Sequence, residues 1–257
     1  MHLATSQPDP GLARPDVSVV VLTYNEAASL ANTVEEIHGE LGPSATTYEV
    51  VIVDDGSGDE SGIIADRLAE EHASVRVIHH EVNAGLGAGY RTAFAHSHGR
   101  YVTFCPADGQ FPPSIVGEFI SQIADYDLFL GYLPQNQSTA TGRILSVAER
   151  VLYRVLFGAL PRFGGVFMVR RQLLDEIPLE STGRGWAIVM ELIVKASRGG
   201  YRIRSHPTTA YRPRQHGTSK VNNLRTIWSN LTQVLELWNR MRHSRTSEIR
   251  ADPNRRP

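Results

Sequence analysis

The chain has 257 residues, a single cysteine (Cys105) and a formal net charge of −1. That length suits one α/β domain with additions, or two small domains, and it can bury a core without a disulfide or structural metal. One cysteine excludes an intrachain disulfide and fits a reducing compartment; 41% apolar and 21% charged residues are those of an ordinary soluble globular protein.

The small net charge hides an asymmetry. Residues 1–133 hold 5 basic and 19 acidic side chains, whereas residues 198–257 hold 13 and 3. A basic C-terminal end predicts an anionic partner there: nucleic acid, an anionic membrane or a phosphorylated substrate. No apolar run approaches the ~20 residues of a spanning helix. The opening MHLATSQPDPGLARPD lacks the charged-then-apolar layout of a secretory leader, so any membrane contact is expected to be peripheral.

In chain order, residues 1–15 read as a disordered lead-in rich in Pro, Gly, Ala and Ser. Residues 17–22 (VSVVVL) form a continuous β-branched run, the pattern of a strand buried on both faces. Leu30, Val34, Ile37 and Leu41 predict a helix over 25–41, with Asn25 as its N-cap. Residues 49–53 are a second buried strand, stopped by Asp54-Asp55-Gly56-Ser57-Gly58. A helix over 60–72, a strand over 75–79, a glycine-rich turn, a helix over 86–97 and a strand over 101–105 follow. This alternation predicts a parallel, doubly wound sheet, whose ligands bind beyond the carboxyl ends of the strands. Residues 143–157 (RILSVAERVLYRVLF) and 224–241 (LRTIWSNLTQVLELWNRM) are amphipathic helices. The second places Leu224, Ile227, Trp228, Leu231, Val234, Leu235, Trp238 and Met241 on one face. Arginine-flanked faces of this kind suit a membrane interface; packing on the sheet or on the mate of a homodimer is the alternative. Residues 244–257 read as a basic disordered tail.

Three polar clusters fall at predicted strand ends: Thr23-Tyr24-Asn25-Glu26, Asp54-Asp55-Gly56-Ser57, and Pro106-Ala107-Asp108-Gly109-Gln110. Each alone reads as a turn; together they would converge on one crevice. Adjacent Asp54 and Asp55 point opposite ways in extended chain, so only one faces a ligand readily. Asp108 and Gln110, two apart, would face one side and could share a hard cation that bridges phosphates. The turn Gly85-Leu86-Gly87-Ala88-Gly89 is not the dinucleotide spacing, yet a glycine turn entering a helix can approach a pyrophosphate through its N–H groups.

The segments VSVVVLTYNEAASL, VIVDDGSGDES and NAGLGAGYRTAFAHSHGRYVTFCPADGQFPP resemble the family 2 glycosyltransferases. FGGVFMVRRQLLDEI, GWAIVMELIVKASRGGYRI and YRPRQHGTSK are similar to the polyprenyl- or dolichyl-phosphate mannose synthase branch. The likeness covers about residues 16–235. It implies a GT-A fold, a Rossmann-like and mostly parallel sheet flanked by helices, over residues 16–220, with an interfacial helix at 221–243 and a tail at 244–257. It implies nucleotide contacts from Thr23, Tyr24, Glu26, Asp54, Asp55 and Gly87. Asp108 and Gln110 would hold Mg²⁺ or Mn²⁺, and Asp108, Arg214 and Lys220 would carry catalysis. Arg143, Ser146, Arg214, Ser219 and Lys220 would meet the acceptor or its phosphate.

The chain departs from that pattern in places. Pro106 stands where the family's Asp-x-Asp-x-Gln has its first acid, which lowers the carboxylate count at the metal. Pro161 and Phe167 align near an Asp and an Arg of the branch, and Leu133 replaces another Arg. The Glu-Asp pair that supplies a general base in many relatives is missing; the nearest acid is Glu191, otherwise an ion partner for a nearby Arg. A phosphate monoester is already anionic and needs no base. The expectation is therefore inverting transfer of a hexose, of the mannose or glucose class, from a nucleotide-diphosphate sugar to a polyprenyl phosphate by a cytoplasmic, peripherally membrane-associated enzyme that does not bind nucleic acid. Transfer to a saccharide or small-molecule hydroxyl, and an inactive nucleotide-sugar-binding protein, are the alternatives.

Overall fold

The structure is a computed structural model that describes residues 14–44, 46–132, 140–208, 212 and 224–251; side chains at 140–146, 148–149, 224–228 and 243–251 lie outside the description. The expected alternation is present in its first half: β1 (Val17–Thr23), α1 (Ala27–Leu41), β2 (Tyr48–Asp54), α2 (Ser61–Glu71), β3 (Val75–His79), α3 (Leu86–His96) and β4 (Tyr101–Phe104). Then come α4 (Ser114–Ile120), β5 (Leu128–Tyr132), α5 (Ala140–Phe157), β6 (Phe167–Arg170), α6 (Arg171–Glu176), α7 (Ala187–Arg198), β7 (Ile203–Pro207) and α8 (Leu224–Ala251). The strand order is β3-β2-β1-β4-β6-β5-β7. The sheet is mixed rather than wholly parallel, because β6 runs antiparallel to both β4 and β5.

Period-two geometry divides β1 between two cores. Val17, Val19 and Val21 pack with Leu30, Val34 and Ile37 of α1, Ala65 and Leu68 of α2, and Phe119 of α4. Val20 faces the other side, with Ala93 of α3, Val189 and Ile193 of α7, and Val234 and Leu237 of α8. Both faces being covered explains why these strands read as continuous apolar runs.

Several local expectations change. Arg14 and Pro15 belong to the fold, not the lead-in: Arg14 Nε donates to His98 O at 2.7 Å and Arg100 N to Pro15 O at 2.9 Å. Asn25 does not cap α1. It sits at φ 51° and its Oδ1 accepts from Gly58 N, while Glu26 occupies the cap position. The exposed N–H of Ala27 is instead met by Asp59 Oδ2, whose other oxygen accepts from Ser61 N of α2. Asp59 thus serves two helix starts. Finally α8 runs to Ala251, beyond the expected end at 243.

Candidate active site

The carboxyl ends of β1, β2 and β4 bring the three polar clusters to one edge of the sheet, since β1 pairs in parallel with both β2 and β4. Thr23 ends β1 and lies opposite Asp54. Its Oγ1 is buried and has no hydrogen-bond partner among the described residues. Tyr24 beside it is exposed, and Glu26 N is held by Ser61 Oγ at 2.9 Å.

Asp54 and Asp55 do diverge, and each meets a histidine of the neighbouring strand. Asp54 Oδ2 lies 3.0 Å from His79 Nδ1 and its Oδ1 accepts from Ser57 N. Asp55 Oδ1 lies 2.7 Å from His80 Nδ1; its carboxylate also accepts from Asn83 Nδ2, Ala84 N and Gly85 N at 2.8–3.0 Å. Four contacts commit Asp55 to holding the glycine turn in place. Asp54, with two, is the better placed to accept from a ligand.

The glycine turn itself packs on a second loop. Gly87 N donates to Arg184 O at 2.9 Å, and a Cβ on Gly87 would lie 2.1 Å from Gly183 O. Its N–H therefore serves that packing rather than a pyrophosphate. Arg184, not singled out by the sequence, donates to Asn83 O at 3.0 Å and to Asn83 Oδ1. The far side of the 183–185 loop is fastened to α8, where Gln233 Oε1 accepts from Gly185 N at 2.9 Å.

Beyond β4 the chain turns rather than staying extended. Gly109 has φ 69°, and Asp108 Oδ1 accepts from Gln110 N at 3.1 Å. Asp108 and Gln110 thus sit on a turn, and strand alternation does not apply to them. Pro106 sits between β4 and this turn, and Ala107 is buried under α1. Burial pushes the Cys105 thiol up to about 12, with Asp108 and Glu36 adding to the effect, so this cysteine is inert. Among the described residues no group of three or more His, Cys, Asp or Glu is arranged around a metal position. Asp108 and Gln110 are nevertheless hard oxygen donors, and a divalent ion that keeps phosphate and water ligands needs only one or two carboxylates. The pair fits Mg²⁺ or Mn²⁺ arriving with a diphosphate.

Arg212, missed by the motif reading, ties the basic segment to this edge. Its N–H donates to Gln110 O at 2.8 Å, and its Nη1 donates to both carboxylate oxygens of Glu36 on α1, at 2.8 and 3.0 Å. Arg214, Ser219 and Lys220 lie outside the described residues, as does Leu133; so do the side chains of Arg143 and Ser146 on α5. Phe167, aligned near an Arg of the branch, is a core residue, fully buried against Tyr90, Phe104 and Phe163. No cation stands at that position.

Glu191 is buried in α7 and fully engaged. It accepts from Glu180 N at 3.1 Å, Ser181 N at 2.8 Å and Lys195 Nζ at 2.7 Å. Its ion partner is Lys195, not an arginine. Burial works against its charge, but these donors outweigh burial and hold its carboxyl below the usual range. Such a group is not a general base.

The apolar faces of the two amphipathic helices separate. On α8, Val234 is buried and Trp238 and Met241 pack on the same core, joined by Leu237, which lies off the expected face; Arg242 covers the Trp238 ring at 4.5 Å. Leu235 of that face is exposed, and the side chains of Leu224, Ile227 and Trp228 lie outside the described residues. On α5, Tyr153, Leu156 and Phe157 face the core, while Val147, Val151 and Val155 are 49, 57 and 76% exposed. Their i, i+4, i+8 spacing makes a stripe, beside the exposed Arg150 and Arg154. None of the described helices is long and apolar enough to cross a membrane.

A β-α alternation whose polar loops gather beyond the carboxyl ends of β1, β2 and β4 defines an α/β protein of the class whose ligands bind at that edge of the sheet. The chain belongs to glycosyl transferase family 2, whose model matches residues 18–177, and it is accordingly a glycosyltransferase. It is 29% identical over 229 residues to the polyprenol monophosphomannose synthase of Mycolicibacterium smegmatis, covering 83% of this chain and 84% of that one. It is 27% identical over 235 residues to the glycosyltransferase AglD of Haloferax volcanii, 87% of this chain but only 37% of AglD. Among solved structures, the mannosyltransferase PcManGT of Pyrobaculum calidifontis, in complex with GDP-Man and Mn²⁺, shares the fold. Its TM-score is 0.63 at 21% identity, over 92% of this chain and 66% of that one.

Proposed function

We propose that the chain transfers a hexosyl group, of the mannose or glucose class, from a nucleotide-diphosphate sugar to a polyprenyl phosphate, with inversion at the anomeric carbon. The observation that carries this reading is the engagement of Glu191. An attacking sugar hydroxyl needs a base, whereas a lipid phosphate is an anion already. The likeness to the M. smegmatis polyprenol monophosphomannose synthase supports the same acceptor class.

Thr23, Tyr24, Glu26 and Asp54 are assigned to the base and ribose, with Asp55 and Gly87 shaping the turn behind them. Asp108 and Gln110 would hold Mg²⁺ or Mn²⁺, which when bound neutralises charge on the leaving diphosphate. Arg214 and Lys220 add fixed positive charge at the phosphates, and Arg212 anchors their segment beside Gln110. Ser219, Arg143 and Ser146 are assigned to the acceptor phosphate. The exposed α5 stripe with Arg150 and Arg154 would meet an anionic membrane surface, giving a peripheral, cytoplasmic-face enzyme.

The test is direct. Purified protein given labelled UDP- or GDP-hexoses, Mn²⁺ and polyprenyl phosphate should yield a chloroform-extractable glycolipid. Label found only on a soluble acceptor would remove the lipid part of the reading. Tight donor binding without turnover on any acceptor would leave a nucleotide-sugar-binding protein.

A further inference from the structure

The parallel register of β2 and β3 sets Asp54 opposite His79, and His80 follows with its N–H on Asp54 O at 2.8 Å. Two consecutive aspartates are thereby each met by one of two consecutive histidines, on opposite faces of the sheet. The two pairs are not alike. His80 divides its nitrogens between Asp55 and the Thr92 hydroxyl, at 2.7 and 2.8 Å, which a neutral ring satisfies: one nitrogen donates, and a hydroxyl can donate to the other. His79 has a carboxylate on each nitrogen, Asp54 Oδ2 at 3.0 Å from Nδ1 and Asp66 Oδ1 at 3.0 Å from Nε2. A neutral imidazole has one N–H, so one of those contacts would set a ring lone pair against a carboxylate. Only the imidazolium donates to both.

We propose that His79 is a positioning residue for the nucleotide-binding carboxylate Asp54, and that its charged form is the one in which the donor site binds. This rests on the assignment of Asp54 to the donor nucleotide made above. The titratable groups that face His79 are Asp54 from β2 and Asp66 from α2. Burial opposes the ring's charge, yet the hydrogen bonds to Asp66 and Asp54 raise its pKa above the ordinary 6.5. The linkage sign follows. The donor is an anion, so it binds the charged site better, raises the pKa of His79 further, and takes up a proton on binding. Donor affinity is greatest below the pKa of His79 and falls as pH rises through it. The diphosphate of a sugar nucleotide is a diester and does not itself titrate between pH 5.5 and 8.5, so the dependence belongs to the protein.

Titration calorimetry with UDP-glucose and with GDP-mannose, each with Mn²⁺, between pH 5.5 and 8.5 in buffers of different ionisation heat, tests this. The wild-type chain should lose about fivefold to tenfold in affinity across the range, at the low end of typical coupling, and take up a fraction of a proton near the midpoint. His79→Gln keeps one donor but cannot titrate: it should bind at the weak high-pH level throughout, with no proton uptake. Asp66→Asn, an exposed change that leaves the core alone, should move the midpoint to lower pH. A His79→Gln profile that still tracks the wild type, or an Asp66→Asn midpoint that does not move, overturns the inference while leaving the site assignment intact. Asp54→Asn separates the two ideas. Wild-type affinity in that variant, or no binding of either nucleotide by the wild type, refutes the donor-site reading beneath it.

Discussion

Replacing Glu191 by Gln separates a scaffolding carboxylate from a catalytic one. The variant keeps shape and one acceptor oxygen but places an NH₂ group among donors: the N–H groups of Glu180 and Ser181 and the ammonium of Lys195. Hydrogen bonds to a charged group contribute roughly 1.5–3 kcal/mol each, and breaking a buried ion pair costs roughly 3–5 kcal/mol. Lys195 moderates the loss, because it reaches solvent and already donates to Pro178 O at 2.6 Å. A net cost of about 2–3 kcal/mol is therefore expected. For a domain of this size that lowers the melting temperature by roughly 5–10 °C. Urea or thermal unfolding measures this term, and turnover at 20 °C, where the variant remains folded, should stay within about threefold of wild type. The lowered pKa of Glu191 fixes the pH sign: its contribution is present above the ordinary carboxylate range and is lost as pH falls through its folded value, so the stability gap between wild type and variant should close in acid. A variant with unchanged stability and turnover reduced a hundredfold or more would have the signature of a missing general base. It would refute the argument that an anionic acceptor is required.

Three further outcomes follow from the geometry. Gly87→Ala drives a methyl into Gly183 O and should cost about 1–3 kcal/mol by overpacking, read as a lower urea midpoint. An unchanged midpoint would mean that the 183–185 loop yields freely. Arg212→Met keeps the backbone bond to Gln110 and should change stability by less than about 1 kcal/mol, because the pair with Glu36 is partly exposed, yet turnover should fall severalfold as the basic segment loses its side-chain tie to α1; equal turnover would remove the Arg212 side chain from the site. Changing Val147, Val151 and Val155 together to Ser should leave the melting temperature within about 2 °C, the positions being exposed. Co-sedimentation with phosphatidylglycerol vesicles should nevertheless drop severalfold, and retained sedimentation would place the membrane face elsewhere.

β1 and β2 could be read from the chain because burial on both faces writes itself as unbroken runs such as Val50–Val53, whereas β3, at the sheet edge and buried only at Val75, was legible mainly from its place in the strand–helix alternation. The later strands carry no such mark. Phe167–Arg170 is four residues long, and Ile203–Pro207 is an edge strand whose Arg204 and His206 leave no alternation to recognise. The end of α8 was set too early because the sequence turns polar after Met241, but polarity alone does not stop a helix, and no Gly or Pro intervenes before Pro253. Within the site, Asp54 and Asp108 were legible as strand-end acids. His79 and His80 were not, since their role depends on a register between two strands that no single segment contains. Arg212 escaped notice for a related reason: its partners, Glu36 and Gln110, are remote in sequence. Asn25 does not cap α1, and Asp59 meets Ala27 N instead, because the backbone at Asn25 turns left-handed, which residue type alone permits but does not dictate.

The fastening of the 183–185 loop to α8 bears on the order in which the molecule is completed. A ribosome delivers the chain from its N-terminus, and the strands carrying Asp54 and the glycine turn emerge within the first hundred residues. The loop that Gly87 packs against comes about a hundred residues later, and Gln233, which holds that loop from behind, comes later still. A nascent chain can therefore pair β1 with β2, β3 and β4 while the edge that carries Asp54 and the glycine turn stays unbraced. That edge gains its brace only once α8 has been made and has docked.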